Sequence, residues 1–174
     1  MLVLRPFTHE HIPSLIRWAT SAELVMQWAG PLFRYPLTMD QFAYLDEAST
    51  TRDLLPFGAF MDDDPKLVGY AELRNIDPVH LSALVTRVIV APEARGAGLG
   101  KQLMEGLLRI GFQKLHLHRI GLGVFDFNSP AIACYEAVGF RNEGIRREVY
   151  RVGDTFWSLV QMSILETEWP PRNW

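Results

Sequence analysis

Between an apolar run, Leu81 to Val90, and an amphipathic one lies the segment Arg95-Gly96-Ala97-Gly98-Leu99-Gly100-Lys101. It follows a strand-like pattern and opens a helix-like one, because Leu99, Leu103, Leu107 and Ile110 fall on a single helical face. A loop in that position leaves the first N–H groups of the helix without partners and aims the positive end of the helix dipole at the same point. That point attracts an anion. Glycines at 96, 98 and 100 remove side chains that would hold a phosphate away, and Arg95 and Lys101 add positive charge at either end.

Two nucleotide-binding signatures fail on this loop. A P-loop needs Gly-x-x-x-x-Gly-Lys-Ser/Thr, but Arg95 stands five before Gly100 and Gln102 follows Lys101. A dinucleotide fingerprint starting at Gly96 needs glycine at 101, where the chain has Lys101. The rest of the chain narrows the choice further. Its 174 residues suit one domain, 1–174, and 48% hydrophobic with 21% charged residues is the balance of a folded chain. No apolar run reaches the ~20 residues of a membrane span, and Met1 to Pro6 lacks a signal peptide's pattern, so a cytoplasmic address and no membrane partner are expected. A single cysteine, Cys134, excludes an internal disulfide and a thiolate metal cluster, and no metal is expected. The net charge of −3 offers no general attraction to nucleic acid. A small or peptide-like amine suits the charge better.

The remaining pattern divides into an N-terminal helical region and a strand-rich body. Ile12, Leu15, Ile16 and Ala19 repeat at helical spacing, Ser21 can cap a short helix through Trp28, and Thr38-Met39-Asp40-Gln41 matches a capping box. Strands are expected at Leu55 to Met61, Leu67 to Asn75 and Leu81 to Val90, with Asp62-Asp63-Asp64-Pro65 as a hairpin loop. Beyond the glycine loop and its helix come a strand, Arg119 to Phe125, and a helix opened by Asn128-Ser129-Pro130 and closed by Gly139. Strands at about Phe140 to Arg151 and Thr155 to Leu165 complete the order.

Two of these segments carry a resemblance. Arg95 to Gly100 resembles the Arg/Gln-x-x-Gly-x-Gly/Ala signature of the GNAT superfamily of N-acetyltransferases, and Val88-Ile89-Val90-Ala91-Pro92-Glu93 looks like that family's fourth strand and exit turn. Asn128-x-x-Ala131-x-x-x-Tyr135-x-x-x-Gly139-Phe140 is similar to its next signature block, one helix and one strand later. Leu4-Arg5-Pro6 and Asn142-Glu143-Gly144-Ile145-Arg146 resemble the branch that includes ribosomal-protein alanine acetyltransferases. The resemblance implies an α/β fold of the α+β kind. Its strongly twisted, mixed but mostly antiparallel sheet has six to seven strands, is flanked by helices and splays between the fourth and fifth strands. It implies acetyl-CoA as co-substrate, held by Arg95, Gly96, Ala97, Gly98, Leu99, Gly100 and Lys101, by the amides of Val88, Ile89 and Val90, and by Asn128 and Tyr135.

The implied reaction moves an acetyl group to a primary amine, of a peptide N-terminus or a small molecule, in a ternary complex. It needs a neutral amine, a donor for the developing oxyanion and a proton for the leaving thiolate. The family motif places Tyr135 near the cofactor sulfur as the acid; otherwise it is a packed aromatic. Asn128 is a helix cap, a cofactor ligand, or both. Glu72, mid-strand between Tyr70 and Arg74, is the first candidate for the base and for the acceptor site, against an ion pair with Arg74 or Arg87. Tyr150 and Glu148 are candidates for lining the acceptor site; Trp28 either walls it or staples the helices to the sheet. Cys134 reads as a small core residue rather than an acetyl carrier, and His116 and His118 as helix C-terminal residues. A homodimer through the aromatic C-terminal strand, with Phe156, Trp157 and Trp169, is a further expectation. A non-catalytic acetyl-CoA-binding module using the same loop is the alternative.

Overall fold

Seven strands among the described residues form one sheet in the order β1-β2-β3-β4-β5-β7-β6. They are β1 (Leu2–Pro6), β2 (Leu54–Met61), β3 (Leu67–Asp77), β4 (Ser82–Val90), β5 (Arg119–Phe125), β6 (Arg141–Val152) and β7 (Thr155–Leu165). The structure is a computed structural model and describes residues 1–46, 53–62 and 64–169; Asp63 of the expected hairpin loop lies outside them. The helices that frame the site are α1 (Ile12–Trp18), α2 (Ala22–Ala29), α3 (Leu99–Arg109) and α4 (Ser129–Val138). All neighbouring strands run antiparallel except β4 and β5, which are parallel. The mixed, mostly antiparallel sheet of the sequence reading is therefore present.

The sequence pattern alone does not mark β1 as a strand. Five residues ending in Pro6 are too few to show alternation, and pairing with β2, from Leu2↔Met61 to Pro6↔Phe57, defines it. Gly106 lets it sit against α3: a Cβ there would come within 2.8 Å of Leu4 Cδ1. Alternation along β3 sends Ala71 and Leu73 to one face and Tyr70 and Glu72 to the other. On the first face α3 contributes Leu103, Met104, Leu107 and Leu108, all at most 1% exposed, each stabilising the fold by about 1.5–3 kcal/mol. On the second, α1 and α2 bury Ile12, Leu15, Val25 and Trp28 with Phe7, Phe33, Phe42 and Tyr70.

Local signals hold at one cap and fail at another. Ser21 Oγ accepts the Leu24 amide at 3.2 Å, as expected of the α2 cap. Thr38 does not cap through its side chain, and the capping box does not form. Gln41 instead pins the preceding loop, accepting the Arg34 amide at 2.7 Å and donating to the Arg34 and Pro36 carbonyls at 3.0 and 3.1 Å. The strand expected to pair across a dimer is corrected: β7 lies between β5 and β6 and offers no free edge. Trp169 is buried against Phe112 at 5.6 Å and Trp157 stands edge-on to Phe125 at 5.0 Å, which leaves Phe156 exposed. The edge strand on that side is β6.

What positions the site is a failure of pairing. β4 and β5 pair only from Ser82↔Arg119 to Val85↔Leu122, although β4 continues to Val90 and β5 to Phe125. On its other side, β4 slips register against β3 between Tyr70↔Ile89 and Glu72↔Thr86. The extra residue forms a bulge at Arg87, whose φ is 52°, and a bulge bends its strand. The sheet opens there, between the fourth and fifth strands.

Candidate active site

The loop after β4 passes through Gly96 and Gly98 with φ of 77° and 74°. Side chains rarely adopt that conformation. Gly98 is the N-cap of α3 and no side chain caps it. Gln102 bonds back to the Gly98 carbonyl at 3.3 Å, so the amides of Leu99, Gly100 and Lys101 before it point outward without helical partners. Arg95 Nε donates to the Val90 carbonyl at 3.1 Å and ties the loop to its strand. These groups border a cleft of about 720 Å³ lined by Val88, Ile89, Val90, Arg95, Gly96, Gly98, Leu99, Gly100, Lys101, Asn128 and Tyr135. Of the expected loop residues only Ala97 lies off its wall, with its side chain in solvent. The wall also contains residues the sequence reading missed: Leu24 and Gln27 of α2, and Ala131, Cys134 and Ala137 of α4. The small residues at three-residue spacing on α4 were the available signal.

Beside this cleft the splayed edge of β4 offers backbone. Ala91 N–H donates to the Val68 carbonyl at 2.9 Å, toward β3. Strand alternation then turns the N–H and C=O of Val90 and Val88 toward the gap and those of Ile89 toward β3. Two of the three expected amides, those of Val88 and Val90, therefore face the opening, while Ile89 serves the wall with its side chain. The cleft, its cationic loop and this strand edge fit an elongated ligand with a diphosphate at one end and amides along its length.

A second cavity, about 600 Å³, opens on the other side of the gap, with Thr86, Arg87, Arg119, Phe125, Glu143, Arg146 and Tyr150 in its wall. The two cavities share Gln27, Trp28, Val88, Asn128, Ala131 and Tyr135. Tyr135 reaches this junction because α4 is fixed at both ends. Asn128 Oδ1 accepts the Ala131 amide at 3.3 Å, Pro130 occupies the first turn, and Gly139 closes the helix with φ 119°. Burial, and secondarily the neighbouring Cys134, push the Tyr135 phenol above its ordinary pKa. It is a proton-bearing group throughout the neutral range.

Trp28 forms the staple weighed for it and also borders both cavities. Its Nε1 donates to the Arg87 carbonyl at 2.8 Å, which staples α2 to the bulge, and its ring lines both cavities. Tyr150 lines the second cavity, edge-on to Phe125 at 5.9 Å. Cys134 is half-buried in the cleft wall, not a core residue as expected. Burial raises its thiol pKa, which leaves it a poor nucleophile.

Glu72 is the main correction. It is fully buried and lines neither cavity. The strand alternation that carries it away from the gap aims it into the aromatic cluster on the α1–α2 face. Its carboxylate accepts the hydroxyls of Tyr44 and Tyr70, both at 2.6 Å, and Thr86 Oγ1 at 3.3 Å, and pairs with Arg87. The ion pair weighed against the base role is the one that forms. With both oxygens engaged and no place in either cavity wall, Glu72 holds the bulge from below.

Comparison with known proteins points the same way. Residues 22–140 match the acetyltransferase (GNAT) family. The chain is 33% identical over 112 residues to a spermidine N(1)-acetyltransferase of Vibrio cholerae, a match spanning 64% of this chain and 64% of that protein's length. It is 24% identical over 155 residues to an aminoglycoside N(6')-acetyltransferase type 1 of Klebsiella pneumoniae, spanning 82% of this chain and 75% of that one. Among solved structures, spermidine N-acetyltransferase from Vibrio cholerae in complex with CoA and spermine superposes with a TM-score of 0.85 at 25% identity, over 96% of both chains.

Proposed function

Because the chain belongs to the acetyltransferase (GNAT) family, we propose that it transfers the acetyl group of acetyl-CoA to a primary amine by direct attack, with both substrates bound at once and all the parts carried by one domain. The observation behind this reading is the pair of cavities that meet across the sheet gap at Val88 and Tyr135. Acetyl-CoA supplies an acyl group already activated as a thioester. The amides of residues 99–101 with Arg95 and Lys101 hold its diphosphate, and the β4 edge at Val88 and Val90 holds the arm. The Val88 amide is placed to bond the acetyl oxygen as charge develops there. Asn128 both caps α4 and borders the arm.

Tyr135 gives its proton to the leaving sulfur. Burial raises the phenol's pKa and disfavours a free thiolate in the same gap, two effects that offset, so the position of the hydroxyl beside the sulfur carries the transfer. Trp28 and Tyr150 wall the acceptor. An α-amine, with a pKa of about 7.7–8.0, has a usable neutral fraction near pH 7, whereas a lysine-like amine at about 10.4 has little. With Glu72 sequestered, the amine proton leaves through water in the second cavity, and that water returns a proton to Tyr135. A non-catalytic sensor of acetyl-CoA would have no use for that cavity. The test is thiol release from acetyl-CoA: we expect it to require an amine, and Gly98→Ala to raise the acetyl-CoA KM about tenfold, from the roughly 1–2 kcal/mol of placing a side chain in the left-handed region. Tight CoA binding without amine-dependent release favours the sensor.

A further inference from the structure

The charges around the acceptor cavity do not suit a polycation. Among the described residues its wall has four charged groups, Arg87, Arg119, Arg146 and Glu143. Two of the arginines are already neutralised. Arg87 pairs with the buried Glu72 beneath the wall. Arg119 Nη1 and Nη2 donate to Glu143 Oε1 and Oε2 at 3.2 and 2.7 Å, and Ser163 Oγ donates to Oε1 at 2.7 Å. Glu143 thus has both oxygens engaged and is held ionised, its pKa lowered first by the Arg119 hydrogen bonds and then by Ser163. Arg146 stands exposed on β6 and has no carboxylate partner among the described residues. The cavity is left with one uncompensated positive charge and no open carboxylate. An approaching ammonium chain would meet the arginine, and no open carboxylate in the wall would offset the loss of its hydration.

We propose that the acceptor is an amine carrying an anionic group, a carboxylate or a phosphate, which Arg146 binds while the amine lies at Tyr135. This rests on the acetyltransferase reading and names its substrate class. A planar guanidinium in the wall of a part-apolar cavity, which Phe125 and Tyr150 also line, suits such a group through paired N–H donors. It also separates this chain from the relative that is named for spermidine and the solved structure that holds spermine.

The test uses four acceptors on the full chain: an amino acid, its carboxamide, a phosphate-bearing amine and a linear polyamine, with kcat/KM taken from thiol release. The wild type should prefer an anionic acceptor over the carboxamide and the polyamine by about tenfold to a hundredfold, the range of one charge-assisted pair. The amino acid and phosphate arms tell which anion is used. Arg146→Ala should collapse that preference by the same factor, chiefly through KM, Arg146→Lys should keep part of it, and Arg146→Glu should turn it toward the polyamine. CoA affinity, measured on each variant, checks that the fold is intact. If the polyamine matches or beats the anionic acceptors, or Arg146→Ala lowers all four equally, the proposal is overturned while amine acetylation stands. If no amine releases CoA that binds normally, the acetyltransferase reading fails and takes the proposal with it.

Discussion

Replacing Tyr135 with phenylalanine will lower kcat by about 10²- to 10⁴-fold, the usual range for a positioned general acid, with little change in CoA affinity. The substitution removes one oxygen from a residue that is 9% exposed and leaves the ring that packs against Phe140 at a centroid distance of 6.1 Å. Fold and cofactor cleft therefore persist, and single-turnover kinetics beside CoA titration separate the two effects. The pH profile adds a second check. Burial holds the phenol above its ordinary pKa of about 10, so the protonated, competent form survives past that value. The rate should rise with pH as the acceptor amine loses its proton, without a descending limb near pH 10. A limb at the ordinary phenol pKa would mean that Tyr135 stands in water instead.

Replacing Glu72 with alanine will destabilise the protein by about 3–5 kcal/mol, because it strands a buried arginine. Arg87 is 8% exposed, lies over the rings of Tyr44 and Phe33 at 5.3 and 5.9 Å, and already has a buried Nε without a hydrogen-bond partner. The hydroxyls of Tyr44 and Tyr70 lose their acceptor in the same step; burial first, and Glu72 second, hold both phenols well above the ordinary pKa and hence protonated. Removing Arg87 as well should cost less than the alanine change alone, since no charge is then orphaned. Urea unfolding of the two variants reads the difference. A base role for Glu72 predicts the reverse pattern: a normal unfolding midpoint and a lost rate.

The parts of the site that could be read from the sequence are those set by backbone chemistry. Glycines at 96 and 98 are required by a left-handed backbone, and Asn128 and Gly139 by the two ends of α4, so each marks its place without knowledge of the fold. Glu72 reads differently in the sequence because a strand shows the face of a side chain only after the sheet's layers are known, and the layer over that face comes from α1, α2 and the helical turn that carries Tyr44. β1 was missed for a related reason: it is defined by Met61 to Phe57 of β2, far along the chain. The splay was legible only through the family resemblance. Its local cause, a bulge at Arg87, leaves no signature, since an arginine with positive φ looks like any other arginine in a strand. Cys134 looked like core because a small thiol in a helix normally is; the gap in the sheet beside α4 is what exposes it.

The arrangement of two cavities around one tyrosine makes a kinetic demand that can be measured directly. Initial rates of thiol release, taken while acetyl-CoA and an amine acceptor are both varied, should give double-reciprocal lines that intersect, because the proposed direct attack needs both substrates in the gap before transfer. Parallel lines, together with an acetyl group recovered on Cys134 before any amine is added, would contradict it.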